Sequence, residues 1–453
     1  MARAKKEAAL TPEDRLQAAL VPDWEWPYKL PENWCWTTVG AINQYVGISA
    51  DPTKAKNKTF ELYSVPSSAD NYPEIVLGAD IGSTKQSVKK GDVLLCKINP
   101  RINRVWKVSK YTDHSLLASS EWIVIRNSGL ISNYLVWCFR SPYFRGYMLS
   151  NVSGVGGSLM RAQPKFVQGY PVPVPPLAEQ QRIVDRIESL FSKLDEAKEK
   201  AQAVVDSFET RKAAILHKAF TGELTAKWRE EHGVGMDSWE KKSVGELCIS
   251  LKYGTAKKSD ASGNVVVLRM GNLQQGEIDW SDLAYSNDPD DIEKYKLFPG
   301  DVLFNRTNSA ALVGKTAIYR GEHPAIYAGY LIKLDYDHDK IIGDYLNYAL
   351  NTLDAKKYCN SVKTDGVNQS NINAKKIGAY SFNVPSIPEQ EKIVSVIQKL
   401  LLKEQQSKEA AEAVLDQIDL MKKSILARAF RGELGTNDPS EESAVELLKR
   451  TIL

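Results

Sequence analysis

The chain carries one segment twice, and the two copies lie 210 residues apart without any slip in register. Residues 175–184 read PPLAEQQRIV, and residues 385–394 read PSIPEQEKIV. The exit of each copy repeats as well, as KAAILHKAFTGEL in residues 212–224 and KKSILARAFRGEL in residues 422–434. The full copies are identical at 22 of 51 positions. A duplicated segment that keeps its length to the residue indicates that the length itself is used, as in a matched pair of struts.

Each copy has the pattern of a long helix. In the first copy, apolar residues recur in alternating steps of four and three from Ile183 to Ile215, with Arg211 as a polar member, and this is the heptad pattern of a coiled coil. About forty residues at a rise of about 1.5 Å make a rod of about 60 Å. The same phase in the second copy selects Ile393, Ile397, Leu400, Glu404, Ser407, Ala411, Val414, Ile418, Met421 and Ile425. We predict that the two helices pack against each other as an antiparallel coiled-coil pair.

The blocks between these helices repeat only faintly. Trp34 and Trp239 open them, and GDVLL at residues 91–95 matches GDVLF at residues 300–304. Short apolar runs between turn residues predict sheet-rich, mixed domains, which we call the heads. The predicted fold is α+β, with two such heads, two long helices and an internal pseudo-twofold repeat. The predicted segments are an N-terminal extension with a short helix (1–29), the first head (30–174), the central helix region (175–232), the second head (233–384), the C-terminal helix region (385–435) and a tail (436–453).

This whole-chain pattern resembles the specificity subunit of type I restriction-modification systems. The resemblance rests on the PLxEQ entry at residues 176–180 and the AFxGEL exits at residues 219–224 and 429–434, and it covers nearly all of residues 22–435. It implies that each head is a target recognition domain reading one half of a split, double-stranded DNA sequence. It also implies that the helices set the spacing and hold two modification subunits, often with two restriction subunits.

The resemblance further implies how the chemistry is divided among the subunits. This chain would bind no cofactor or metal and catalyse nothing itself. S-adenosylmethionine would bind to the modification subunit, which methylates adenine, and ATP and magnesium would bind to the restriction subunit.

Charge supports DNA binding unevenly. The net charge of the chain is only +3, but residues 30–174 contain 16 Lys and Arg against 9 Asp and Glu, whereas residues 233–384 contain 18 against 19. Cationic side chains supply the attraction to phosphates. The first head is therefore predicted to bind phosphates as a whole, and the second head needs a local basic patch.

Two stretches in each head combine cationic, amide and small polar residues, which can hold phosphates or read base edges. One stretch follows the GDVL strand, and the other precedes the long helix. The predicted DNA-binding residues of the first head are Lys97, Arg101, Asn103, Arg104, Lys107, Ser158, Arg161 and Lys165. Those of the second head are Asn305, Arg306, Asn308, Lys315, Asn368, Gln369, Asn371 and Lys375. Ordinary solvated loops and turns have the same composition, and this reading stays open.

The repeated entry and exit motifs provide candidates for binding a partner subunit or for setting the spacer. These residues are Glu179, Gln180, Phe220, Gly222, Glu223, Leu224, Glu389, Gln390, Phe430, Gly432, Glu433 and Leu434. The alternative for each of them is helix capping or core packing.

Enzyme motifs are incomplete. Residues 314–316 read GKT, but Ser309 occupies the position of the earlier glycine of a phosphate-binding loop. Asn99 and Pro100 are not followed by the Pro and aromatic residue of a base-methylating motif. The histidines are scattered, and no cysteine pair has zinc-ligand spacing. We therefore predict a non-catalytic protein.

Two other function classes remain to be separated from DNA recognition. A coiled-coil adaptor with protein-binding heads would show no sequence-specific DNA affinity, and an autonomous DNA-modifying enzyme would act without partners. The sequence has neither an apolar signal core nor an apolar stretch of 18 residues, which predicts a cytoplasmic protein without membrane association.

Overall fold

A computed structural model of the chain describes residues 11–154, 160–367 and 369–452. The candidates Ser158 and Asn368 lie outside the described residues. The chain divides into two compact units, Met1–Lys200 with Val414–Leu453 and Ala201–Ala413, here called unit one and unit two. Each unit thus combines one head with a part of both duplicated segments.

Helices frame both heads and form the duplicated segments. In chain order they are α1 (Pro12–Ala19), α2 (Val39–Ile42), α3 (Ser132–Arg140), α4 (Pro142–Ser150), α5 (Pro164–Val167), α6 (Leu177–Asp206), α7 (Phe208–Phe220), α8 (Ala226–His232), α9 (Val244–Leu247), α10 (Pro289–Tyr295), α11 (Gly343–Leu350), α12 (Leu353–Val362), α13 (Ala374–Gly378), α14 (Ile387–Ala429) and α15 (Ala444–Ile452). Within the described ranges, no helix is both long and apolar enough to cross a membrane.

The first head is built from small sheets. Its strands are β1 (Cys35–Thr38), β2 (Ser49–Ala50), β3 (Thr59–Tyr63), β4 (Glu74–Leu77), β5 (Lys85–Ser87), β6 (Val93–Cys96), β7 (Val105–Lys107), β8 (Ser115–Ala118), β9 (Trp122–Ile125), β10 (Val152–Ser153), β11 (Arg161–Ala162) and β12 (Pro171–Val174). They form a five-stranded sheet in the order β2-β5-β8-β3-β4, a three-stranded sheet β7-β6-β9, and the pairs β1-β12 and β10-β11. The β3-β8 pair is parallel and the other pairs are antiparallel.

The second head uses a related set of strands. They are β13 (Glu240–Ser243), β14 (Cys248–Tyr253), β15 (Val265–Leu268), β16 (Leu273–Gln274), β17 (Glu277–Ile278), β18 (Tyr285–Ser286), β19 (Val302–Asn305), β20 (Thr307–Asn308), β21 (Thr316–Ile318), β22 (Ala325–Tyr327), β23 (Leu331–Tyr336), β24 (Thr364–Asp365), β25 (Ser370–Asn371) and β26 (Ser381–Val384). Their sheets are β14-β23-β19-β21, β18-β15-β22, β20-β25-β24, β16-β17 and β13-β26.

The repeated GDVL motif forms the same local structure in both heads. Gly91 and Gly300 have φ of 94° and 97°, a left-handed conformation that glycine adopts without steric cost. The following aspartates, Asp92 and Asp301, each pair with a cation, Arg126 at 2.6 Å and Lys333 at 2.8 Å. The apolar residues after them form the buried strands β6 and β19.

The first and last strands of each head pair with each other. Cys35 lies opposite Val174 in β1 and β12, and Glu240 lies opposite Val384 in β13 and β26. Because β12 and β26 run almost directly into α6 and α14, each head is closed at the base of a long helix. The apolar core of each head continues into the helices, with Ile183 and Phe430 in unit one and Leu216 and Ile397 in unit two.

In each unit, a segment of the first copy packs antiparallel against a segment of the second. In unit one, Lys422 lies 2.5 Å from Asp195 and 5.1 Å from the ring centroid of Phe191. In unit two, Arg211 lies 2.5 Å from Glu404. The predicted α+β fold class with its paired long helices is therefore confirmed.

The structure corrects the seam of the second copy. Ser407, Val414 and Met421 are exposed, whereas the residue after each of them is half-buried. The shift is confined to these three positions, because the other predicted members of the seam are buried or half-buried. At two of the three positions the following residue is a lysine, and the Lys408 ammonium lies 5.0 Å from the ring centroid of Phe208.

The sequence predicts one uninterrupted helix for the first copy, and the structure differs. There α6 and α7 are separated at Ser207. The hydroxyl of Ser207 donates to the carbonyl of Ala203. The guanidinium of Arg211 donates to that hydroxyl and to the carbonyl of Val204, the latter at 3.0 Å. Side chains that take up helix carbonyls in this way bend or interrupt a helix.

The N-terminal extension contains a short helix, α1. Thr11 and Asp14 cap it reciprocally. It belongs to the same apolar core as α15 of the tail, through Ala19 and Leu448.

Candidate nucleic-acid interface and head-to-helix junctions

The first cluster of predicted DNA contacts lies on a tight turn between β6 and β7. Asn99 and Asn103 flank the turn in left-handed conformations, with φ of 47° and 52°. Asparagine adopts this region more readily than most residues, because its short side chain hydrogen-bonds locally. Arg101 lies between them and is exposed. The turn therefore presents a guanidinium to solvent.

The stretch that precedes the first long helix lies beside this turn. Ile98 forms an antiparallel bridge with Arg161. The N–H of Ala162 donates to the carbonyl of Lys97 at 2.8 Å. Two stretches that are far apart in the sequence, and that were predicted separately, thus form one surface.

The candidate side chains on this surface differ in solvent exposure and in whether they already contact another side chain. Lys165 is exposed, whereas Lys107 donates to Asn133 at 2.6 Å and Arg161 lies 3.4 Å from Glu121. The half-buried candidates of this head are Lys97, Asn103, Arg104, Lys107 and Arg161.

The second head brings its two predicted stretches together in the same way. β20 pairs with β25, so that Thr307 lies opposite Asn371 and Asn308 lies opposite Ser370. Gln369, just before β25, is exposed, as is Lys375 in α13. The loop after the GDVL strand and the segment before the long helix therefore meet in both heads.

Arg306 is the centre of the polar cluster in the second head. Its guanidinium lies 4.7 Å from the ring centroid of Tyr253 and donates to the carbonyl of Gly329 at 3.3 Å and to the side-chain oxygen of Asn371 at 3.4 Å. These contacts hold a planar cation on an aromatic face. Tyr253 is not among the residues predicted from the sequence, because it lies in β14, more than fifty residues before Arg306, and belongs to no local motif.

The structure corrects the prediction for Asn305. Its side chain is fully buried, and its amide donates to the carbonyl of Met270 at 3.5 Å. It cannot reach DNA without unfolding β19. Lys315 is half-buried and donates to the side chain of Gln274 at 2.8 Å, and Gln274 lies in the QQGE segment that follows β15.

The glutamate of the first entry motif joins the first head to its helix. Glu179 is fully buried and accepts hydrogen bonds from the indole N–H of Trp34 at 2.8 Å and from the hydroxyl of Thr436 at 3.2 Å. Burial raises the pKa of Glu179 above its usual value, although the two hydrogen bonds and Arg182 act in the opposite direction.

The second entry motif makes the equivalent junction in unit two. Glu389 is fully buried and accepts from the indole of Trp239 at 3.0 Å and from Thr225 at 2.7 Å. It also forms an ion pair of 2.7 Å with Arg229, whose guanidinium donates to the carbonyl of Gly222 as well. The two junctions thus share a tryptophan and a threonine, and unit two adds a cation.

The glutamine of each motif completes the junction. Gln180 accepts from the N–H of Ile131 at 2.9 Å and donates to the carbonyl of Pro175 at 3.0 Å. Gln390 makes the matching contacts with Ile342 at 3.0 Å and with its own entry proline at 2.9 Å. Both glutamines are fully buried. The four Glu and Gln side chains hold heads on helices, and none is available to a partner surface in this structure.

The exit motifs are mostly structural as well. Phe430 is fully buried against Tyr134, with ring centroids 5.4 Å apart, and Phe220 packs on Tyr345 at 4.9 Å. The half-buried or buried members of the exits are Phe220, Gly222, Leu224, Phe430, Gly432 and Leu434, and the exposed ones are Glu223 and Glu433. Glu223 and Glu433 are therefore the exposed side chains of the two exit motifs, and Phe220 and Leu224 remain partly accessible.

The fold and the paired polar loops define a two-headed binding protein whose heads are carried on long helices. Residues 236–413 match the family model described as the type I restriction modification DNA specificity domain. The chain is 27% identical over 306 residues to the type I restriction enzyme StySPI specificity subunit of Salmonella potsdam, covering 67% of this chain and 65% of that protein. It is also 27% identical over 321 residues to the EcoKI specificity subunit of Escherichia coli strain K12, covering 69% and 68%. The first of these alignments thus spans slightly less than two thirds of the relative.

Solved structures support the same fold. The HsdS subunit from Thermoanaerobacter tengcongensis superposes with a TM-score of 0.67 at 22% identity, covering 90% of this chain and 100% of that chain. A chain from a structure of a type I R-M system, described in terms of complex assembly and conformational transition, also gives 0.67, at 21% identity and 90% coverage of this chain. The resemblance to type I restriction-modification specificity subunits inferred from the duplicated motifs is confirmed by these matches.

Proposed function

We propose that this chain is the DNA sequence-recognition subunit of a type I restriction-modification complex and has no catalysis of its own. Each head reads one half of a bipartite target in double-stranded DNA. The observation that carries the proposal is that each head assembles one polar surface from two distant stretches, joined by the Ile98–Arg161 bridge in one head and by the Thr307–Asn371 pair in the other.

The surface chemistry of the two heads supports different kinds of DNA contact, phosphate binding in the first head and base-edge contacts in the second. The first head has the excess of cations, with Arg101 and Lys165 exposed, and binds phosphates along its whole face. The second head, which is neutral overall, concentrates its recognition at Arg306, Asn308, Gln369 and Asn371. Amide and guanidinium groups pair with adenine and guanine edges in the major groove.

The long helices set the distance between the half-sites. Equivalent groove faces recur about every 34 to 36 Å along DNA. The length of the two copies therefore determines which separation of half-sites the two heads can bind together. Glu223 and Glu433 are both exposed and lie at matched positions near the ends of the two copies, which suits the recruitment of two identical modification subunits. Those subunits bind S-adenosylmethionine and methylate adenine, and two restriction subunits use ATP and magnesium. The complex works in the cytoplasm.

Mapping of adenine methylation tests this proposal. DNA from cells that express the chain with its modification subunit should carry a split methylated motif. Inserting four residues between Glu409 and Ala410 lengthens α14 by about 6 Å and should shift the gap of the motif by one or two base pairs without changing either half.

A four-residue insertion in the exposed loop at residues 260–264 is the matched control and should leave the gap unchanged. An adaptor without DNA specificity, which the comparisons do not favour, predicts no chain-dependent methylation at all. That result, with a bound and active modification subunit, would refute DNA recognition.

A further inference from the structure

An open groove borders α7 in unit two. It has a volume of about 890 Å³ and lies between α7 on one side and β26 with the start of α12 on the other. Ala214 and Phe220 line the helix side, and Leu353 and Phe382 line the head side. Leu353 is 54% exposed although it forms part of an apolar wall. The groove thus has an apolar part, and charged side chains such as Lys241 and Asp354 also line it.

The equivalent groove of unit one is filled by Tyr28. The repeat offset makes Phe430 the counterpart of Phe220, and the hydroxyl of Tyr28 donates to the carbonyl of Phe430 at 2.9 Å. The ring of Tyr28 packs edge-on against Trp36, with centroids 5.0 Å apart, and against Tyr143, at 5.2 Å. A tyrosine from the N-terminal extension therefore occupies the groove of unit one, next to the C-terminal end of α14.

The second copy has lost the residues that close the groove. The strand registers place Lys241 where unit one has Trp36. Ser141 and Thr352 cap equivalent helices, so Asp354 stands where unit one has Tyr143. Two aromatic rings of unit one are therefore replaced in unit two by a flexible lysine and a short aspartate at the rim of the groove.

The segment before the second head also lacks a ring in the required place. Trp34 and Trp239 align the two segments through their matched bonds to Glu179 and Glu389. On that alignment, Gly233 occupies the position of Tyr28. Within the residues that the structure describes, Tyr28 thus fills the groove of unit one and no aromatic side chain takes the equivalent place in unit two.

We propose that the groove of unit two receives an aromatic side chain, tyrosine in character, from a modification subunit. This inference rests on the proposed function. A ring would pack at Phe220 as Tyr28 packs at Phe430, with its hydroxyl directed at the carbonyl of Phe220. Lys241 and Asp354 would then flank the ring at the rim. Aromatic anchors with a polar tip suit pockets that are apolar inside and wet at the edge. One copy of the repeat is then completed within the chain and the other by its partner.

Filling the groove tests the proposal in the reconstituted complex of the full chain with its modification subunit. Ala214→Trp places an indole in the groove from an exposed helix position, and Leu353→Glu places a charge on the opposite wall. Each should weaken binding of the modification subunit at least tenfold by titration calorimetry. Lys218→Trp, at an exposed position of α7 that does not line the groove, is the matched control and should stay within twofold of the unsubstituted chain. Thermal unfolding of each variant checks that the fold is kept.

A photo-crosslinking residue at Lys357 provides a second readout. We expect it to react with a peptide of the modification subunit that contains Tyr, Phe or Trp. Undiminished binding by both groove variants, or crosslinking only to a second copy of this chain, would overturn the assignment of the groove. Failure of the unsubstituted chain to bind the modification subunit would instead overturn the proposed function, and this inference with it.

Discussion

The guanidinium of Arg229 lies 2.7 Å from the carboxylate of Glu389, and both side chains are almost completely buried. The corresponding glutamate of the first copy, Glu179, lies at an equally buried junction, and in the described part of the chain no cation is within salt-bridge distance of it. The duplicated segment therefore uses one motif residue in two electrostatic settings, a buried ion pair and a buried carboxylate held by neutral donors.

This asymmetry predicts unequal effects of the same substitution. Glu389→Gln leaves the guanidinium of Arg229 buried without a counter-charge, and we expect a loss of about 3 kcal/mol in the free energy of unfolding. Glu179→Gln keeps an acceptor for Trp34 and strands no cation, so that its cost should be about 1 kcal/mol or less. Calorimetric unfolding of the two variants measures the difference. Adding Arg229→Met to Glu389→Gln should restore much of the loss, and equal costs for the two single variants would contradict the assignment.

The raised pKa of Glu179 predicts a pH dependence of stability. The folded state binds the proton more tightly than the unfolded state, whose pKa is near the usual value of 4.5. The corresponding stabilisation is therefore fully present below about pH 4.5 and is lost as the pH rises through the folded-state pKa. Unfolding midpoints of the unsubstituted chain and of Glu179→Gln, compared between pH 4 and pH 7, should show the unsubstituted chain losing stability relative to the variant as the pH rises. A constant or opposite difference would contradict the raised pKa.

The heptad pattern was sufficient to predict two long paired helices, but it did not give their details. Lys408 and Lys422 occupy the seam because a long aliphatic stem packs on an aromatic ring, and apolar periodicity does not register such residues. The interruption at Ser207 accompanies hydrogen bonds from the guanidinium of Arg211 to the hydroxyl of Ser207 and to the carbonyl of Val204. Helix propensity does not reveal such side-chain contacts.

The roles of the motif residues were harder to predict. Glu179 and Glu389 were candidates for partner binding because their motif repeats, with helix capping or core packing as the alternative. Glutamate is rarely fully buried, but the structure bonds each of them to a tryptophan about 150 residues earlier in the sequence. The polar loops were found by composition, but their pairing across each head is a long-range contact. Periodicity describes neighbours along the chain and carries no information about such contacts.

The exposed arginine of the first head provides a direct prediction for DNA binding. Arg101→Ala removes a cation from the tip of the turn, and DNA affinity at moderate salt should fall several-fold while the slope of log affinity against log salt decreases by about 1. Fluorescence anisotropy over a salt series measures both. Lys227→Ala in α8, which is also highly exposed but lies outside the heads' polar surfaces, is the control and should change neither. An effect of Arg101→Ala equal to that of the control would argue against this turn as a phosphate contact.

The glycine of the second exit motif predicts a steric limit on the junction of unit one. Gly432 has φ of 74°, and a Cβ added there would lie 2.4 Å from Cγ of Pro31. Gly435, three residues later, has φ of 71° but meets nothing within 4 Å. Gly435→Ala should therefore cost about 1 kcal/mol through backbone strain alone, whereas Gly432→Ala adds a clash with a rigid ring and should cost about 2 kcal/mol or more. Denaturant unfolding of the matched pair separates the two contributions, and equal losses would show that the proline yields and that the junction is not tightly packed.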